Sequence, residues 1–211
     1  MDQGAAAERS RDLERFLTFV DAVVAIAITL LVLPLVDVVN ALGDASVASL
    51  LHAHVAQVYG FLLSFAVIGQ LWFAQHQVMR TVVAHDPLVT RLVMVWLLSI
   101  VVLPFPTALV AQAGEQPLTK VLYIGTMALS AALLALMAWR IAAVRSIRDS
   151  DDAPDPTSAL TFVLFLVALA LSLAVPSLGY YPLLLLLLTG VLVRAWHRLR
   201  DRRAAARRVG D

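Results

Sequence analysis

The chain has 211 residues, 61% hydrophobic and 15% charged, with a formal net charge of +1 and a mean hydropathy of +0.84. A soluble domain carries about a quarter charged residues, so this composition excludes disorder and argues against a water-soluble globule. The near-neutral charge gives no reason to expect a nucleic-acid partner, and the absence of cysteine removes disulfides, thiolate metal sites and thiol chemistry.

A membrane-spanning helix needs about 20 mostly apolar residues. Six such segments are expected, at 16–36, 55–78, 89–111, 121–143, 159–178 and 181–197. Polar residues precede the first and no small-residue cleavage site follows it, so it reads as a permanent helix and not a signal peptide. Breakers mark the gaps: Gly43-Asp44, Asp86-Pro87, Gly114 to Pro117, Pro154 and Pro156, and Gly179. The last gap is short enough for a tight hairpin.

The basic residues test this count. Arg9, Arg11 and Arg15 precede the first span, Arg80 and Arg91 flank the second connection, and Arg140, Arg145 and Arg148 flank the fourth. Seven more arginines lie near the C-terminus, so fifteen of the sixteen basic residues fall on one side and Lys120 alone on the other. The positive-inside rule then puts both termini in the cytoplasm and requires an even number of spans. The basic tail, 198–211, reads as a topology determinant. Asp149, Asp151, Asp152 and Asp155 are interrupted by prolines and lack the spacing of a calcium loop, so they read as a solvated loop.

The first span carries Asp21, an ionisable residue that is costly in lipid unless paired or hydrated. The second runs back and places Trp72, His76 and Arg80 four residues apart on one face, at a depth similar to Asp21. Two readings stand at this point. These side chains form an inner polar cluster, or Asp21 serves a helix start while His76 reaches the interface. At 100° per residue, Ile26, Thr29, Leu30 and Leu33 fall on one arc and Asp21 points away from it. Sequence physics explains that apolar arc with its single hydroxyl as helix packing or lipid contact.

The stretch from Arg15 through Phe19 and Asp21 into the apolar run ending at Leu30 resembles the R-x-x-x-F-S-D signature of the transmembrane protein 175 potassium channels. Trp72-Phe73-Ala74-Gln75-His76 is similar to the family's W-x-x-x-H segment, and Leu103-Pro104-Phe105-Pro106-Thr107 to its P-F-x-T. Val20 stands where the family usually has serine, so any bond made by that serine is missing. The resemblance implies an all-α membrane protein of six helices per chain, one channel domain over 1–211, in a bacterial plasma membrane. It implies a homotetramer in the lipid bilayer, a pore lined by the first helix, potassium as the permeant ion and no cofactor. Carried over by position, the constriction is Ile26, Thr29 and Leu33, with Leu30 beside them. Arg15, Phe19, Asp21, Trp72 and His76 become a supporting or gating network. Rings of Ile and Leu dry a pore, so a cation sheds water to pass, and potassium loses its shell more readily than sodium. Modest potassium selectivity is expected.

Alternatives are a proton-conducting channel, since lysosomal members also pass protons, and a small secondary transporter, which needs a midplane site and usually an internal repeat. Neither such site nor repeat is visible in the sequence. No metalloprotease or serine-hydrolase motif is present, so the chain is not expected to be an enzyme. His52 and His54 precede the second span and read as a solvent-facing loop pair.

Overall fold

The computed structural model describes residues 2–40, 46–80, 82, 86–113, 116–144, 147 and 157–188, with side chains described from 11 onward apart from 39–40 and 185–188. The fold is all-helical: α1 Asp2–Leu30, α2 Leu33–Asn40, α3 Val47–Ala53, α4 Val55–Met79, α5 Pro87–Val102, α6 Pro104–Ala113, α7 Pro117–Ala143 and α8 Thr157–Ala174. Short 3-10 segments follow at Pro176–Leu178 and Tyr181–Leu188. Among the described residues, five helical stretches are long and apolar enough to cross a membrane, so the chain is a multi-pass membrane protein. The expected sixth span is described only to Leu188, as 3-10 helix; the rest of it, the basic tail and the aspartate run lie outside the described residues.

Prolines set where helices start and break. Pro87 and Pro117 sit in the first turns of α5 and α7, where no N–H is missed. Asp86 caps α5 by accepting from Leu88 N and Val89 N at 2.9 Å each. Pro34 has no N–H to give Leu30, and the first span therefore breaks: Leu31 N and Val32 N turn to Ile28 O and Thr29 O, and α2 begins afresh at Leu33. Pro104 breaks the third span in the same way after Leu103. Two expected single helices are thus each a pair. The short helix α3, capped by Ser46, stands in the first connection, where the sequence reading placed only a loop. Gly179 takes a φ of 50°, a conformation that suits glycine, and turns the chain back after α8.

α7 is the centre of the bundle, packed against α5, α8, α6 and α4. Its buried face includes Tyr123, Met127, Ala131, Leu134 and Met137. Lys120 and Arg140, near its two ends, are about 30 Å apart along the axis, the thickness of a bilayer's hydrocarbon core. Arg140 pairs with Asp86 at 2.8 Å, joining the end of α7 to the start of α5. Lys120 Nζ donates to the carbonyls of Ser172 and Pro176 at 3.3 Å, placing a cation at the C-terminus of α8. Lys120, the one basic residue that the sequence sets opposite the other fifteen, is buried and bonded to the bundle.

Candidate functional site

α1 lies at the edge of the bundle, touching α5, α4 and α6. Val20, Val24, Ala27 and Leu31 recur at three- and four-residue spacing and are buried, so they form the stripe that docks α1 on its own chain. The opposite side is open. Ile26 is 59% exposed, Leu33 54% and Leu30 40%, and Thr29 is exposed with them. Leu33 belongs to α2, beyond the break at Leu31–Val32. A register of 100° per residue carried from α1 therefore does not fix its direction, which corrects the uninterrupted arc expected from sequence.

The Thr29 hydroxyl donates to Ile26 O at 2.7 Å within its own helix. Its proton is thereby turned onto the backbone, and its lone pairs face outward from the helix. Such an oxygen suits a cation better than an anion.

Asp21 is turned toward α4, where the Trp72 indole N–H donates to its Oδ1 at 2.8 Å. The ring centroids of His76 and Phe73 lie 5.6 Å and 4.8 Å from that of Trp72, so both rings pack against the indole. Of the group predicted from sequence, the structure joins Asp21 and Trp72 directly and His76 only through the indole. Arg15 is exposed and makes no ion pair with Asp21 among the described residues. Six residues separate them, which puts Arg15 about 120° round the helix from Asp21. Phe19 is exposed, two residues before Asp21, on the side away from α4's tryptophan. Val20 is fully buried, so the methyls that replace the family's serine pack in the docking stripe. Arg80 is exposed, and its backbone N–H closes α4 on His76 O.

The sequence reading missed the polar bonds between helices deeper in the bundle. Ser64 of α4 meets Thr107 of α6 and Tyr123 of α7, and Ser99 of α5 meets Ser130 of α7 at 2.7 Å. Hydroxyls are common in spans and carry no charge signal, so only their inward phase on each helix marks them. The Asp86–Arg140 pair had a readable half. Asp-Pro at a helix start is a cap signal, whereas the partner 54 residues away is not. His54 Nδ1 lies 2.9 Å from Leu50 O and His52 is exposed, which gives the pair no shared ligand geometry.

Residues 15–104, from the arginine before α1's apolar run to the break after α5, match the family model of the endosomal/lysosomal potassium channel TMEM175. A potassium channel of Streptomyces collinus is 36% identical over 94 residues, which is 44% of this chain and 45% of that channel, so the match spans about half the relative's length. A crystal structure of a lysosomal potassium-selective channel TMEM175 homolog from Chamaesiphon minutus superposes with a TM-score of 0.72 at 27% identity. That match covers 87% of this chain and 98% of that one.

Proposed function

We propose that this chain, which is similar to the TMEM175 channels over residues 15–104 and in its fold, is a potassium-permeable channel, working as a homotetramer in the bacterial plasma membrane with both termini in the cytoplasm. One chain forms one six-span unit with a basic tail, and four units surround a common axis. The pore is lined by α1 and the start of α2.

The observation that carries this reading is the open face of Ile26, Thr29, Leu30 and Leu33 on a helix whose other side is docked by Val20, Val24, Ala27 and Leu31. A ring of such faces makes a narrow, apolar passage with one layer of hydroxyl oxygens. A cation crosses it by losing part of its hydration shell, and potassium gives up water more readily than sodium. Thr29 oxygens, with their protons turned to Ile26 O, replace some of that water. One polar layer compensates only partly, so the preference for potassium is modest. Asp21 and Trp72 hold α1 against α4 and do not touch the ion; His76 braces the indole. Arg15 and Phe19, both exposed, face neighbouring subunits or the headgroup region.

The test is the bi-ionic reversal potential of the purified protein in planar bilayers, potassium against sodium. The expected result favours potassium and weakens in Ile26→Asn, whose amide wets the constriction. A reversal potential unchanged by Ile26→Asn sinks the constriction. Absence of current together with substrate-coupled flux in proteoliposomes replaces the channel by a transporter.

A further inference from the structure

Three hydroxyls from three helices meet inside the bundle. Ser64 Oγ of α4 lies 3.0 Å from Thr107 Oγ1 of α6 and 2.7 Å from Tyr123 Oη of α7, and all three side chains are buried. Counting protons fixes the direction of donation. The Thr107 hydroxyl donates to Leu103 O at 2.8 Å, and a hydroxyl has a single proton, so Ser64 donates to Thr107. With the Ser64 proton committed, Tyr123 donates to Ser64. The relay runs from Tyr123 through Ser64 and Thr107 to the Leu103 carbonyl. A backbone carbonyl passes no proton onward, so the chain of hydroxyls is a dead end for proton transfer.

Its end point is where the third span breaks. Pro104 offers no N–H to Ile100 O, and Leu103 N takes that carbonyl instead at 3.1 Å. Just past the break, Leu103 O receives both the Thr107 N–H, at 3.1 Å, and the Thr107 hydroxyl. The relay therefore ties the broken point to α4 and α7. Beyond the break, α6 packs on α4 and α7 and also touches α1. Tyr123 is braced in turn by the edge of Tyr180, with ring centroids 5.6 Å apart.

We propose that the Tyr123–Ser64–Thr107 relay sets the angle of α6 at the proline break and through it the position of α1, making these three positioning residues for conduction. The inference rests on the reading of α1 as the pore helix. Loss of one hydroxyl frees α6 to turn about Leu103, which changes how often the pore is open while leaving the constriction's own side chains, and so its selectivity, intact.

The experiment compares the parent with Thr107→Val, Thr107→Ser, Tyr123→Phe, the Thr107→Val/Tyr123→Phe double variant and Ile26→Asn. Potassium flux into proteoliposomes and bi-ionic reversal potential are read, with size-exclusion profiles for assembly. Thr107→Val and Tyr123→Phe are each expected to change flux about fivefold, the factor that one hydrogen bond implies, with an unchanged reversal potential. Thr107→Ser keeps the hydroxyl and the parental flux. The double variant goes no further than the larger single change, because the relay is already broken. Parental flux in both Thr107→Val and Tyr123→Phe overturns the inference. Failure of both to assemble while Thr107→Ser assembles normally also overturns it, since the relay is then a folding requirement alone. An unshifted reversal potential in Ile26→Asn, read in a chain whose relay is intact, overturns the pore assignment and takes this inference with it.

Discussion

The first and fourth spans are both long and apolar, yet they are used in opposite ways. The stretch Arg11–Val38 holds the most apolar window of the five, and 22% of that window is buried within the chain; for α7 the share is 50%. Hydropathy does not rank burial here, because hydrocarbon tails are as good a neighbour for leucine as another leucine is. Polar groups decide instead. Along α7, Lys120, Tyr123, Ser130 and Arg140 each bond to another helix or its carbonyls, and these bonds pull the helix to the centre. Among the described residues, the side chains of α1 make one hydrogen bond to another helix, from Trp72 to Asp21. The open face of α1 carries Ile26, Thr29 and Leu30, the surface proposed above to meet other copies.

The contrast is broken most severely in α7. Leu134 is 1% exposed, and Leu134→Ala is expected to cost about 2–4 kcal/mol through the cavity it leaves. Thermal unfolding in detergent, followed by size exclusion, reads that loss; a melting temperature equal to the parent's removes α7 from the centre of the stability argument.

Asp86→Ala comes next, because it removes a cap and an ion partner together. The expected loss is about 2 kcal/mol, tempered because Arg140 is 32% exposed. The Val89 N–H holds the Asp86 carboxyl below the ordinary carboxylate range. Burial opposes this, and Arg140 and then the Leu88 N–H add to it. A depressed carboxylate stabilises the fold fully above its unfolded value, about 4, and that stability is lost as pH falls through the lower folded value. The parent's melting temperature should therefore fall on acidification below about pH 4 more steeply than that of Asp86→Ala. Parallel acid limbs in the two proteins dismiss the pair.

Much of this is legible in the amino-acid sequence, and the reasons differ by feature. The five spans that the structure describes follow from runs of apolar residues, which the bilayer enforces. Asp21 and Trp72 stood out because a charge in a span is expensive and needs a partner. The breaks at Leu31–Val32 and Leu103 were written in Pro34 and Pro104, but the apolar run continues across each, so counting residues joins what proline divides. The Ser64–Thr107–Tyr123 meeting was not legible, since it depends on the rotation of three helices that no periodicity in one of them reports. The bonds of Lys120 are not legible for a related reason: nothing local shows that its side chain reaches the end of α8.

Asp21→Ala tests the side-chain hydrogen bond that joins α1 to α4 among the described residues. Loss of an acceptor for the Trp72 indole, in a partly exposed site, is expected to cost about 1–2 kcal/mol and to reduce the fraction of the proposed tetramer on size exclusion. Asp21→Asn keeps an acceptor oxygen and should recover most of it. Normal assembly of Asp21→Ala with altered selectivity would move Asp21 into the pore.

The smallest effect on stability is expected at Leu30, and there the comparison with α7 is sharpest. Leu30 is 40% exposed, against 1% for Leu134, so Leu30→Ala leaves little cavity within its own chain. It should change the melting temperature of the dissociated subunit by the equivalent of about 0.5 kcal/mol or less. In the proposed tetramer the same truncation widens an apolar ring beside Ile26 and Thr29, so sodium permeability should rise relative to potassium. The two readouts separate the two environments of a leucine in a membrane: packed against its own chain it holds the fold, and facing the proposed pore it would filter. A Leu30→Ala channel with parental selectivity would assign that face to lipid, and a destabilised subunit would assign it to the core.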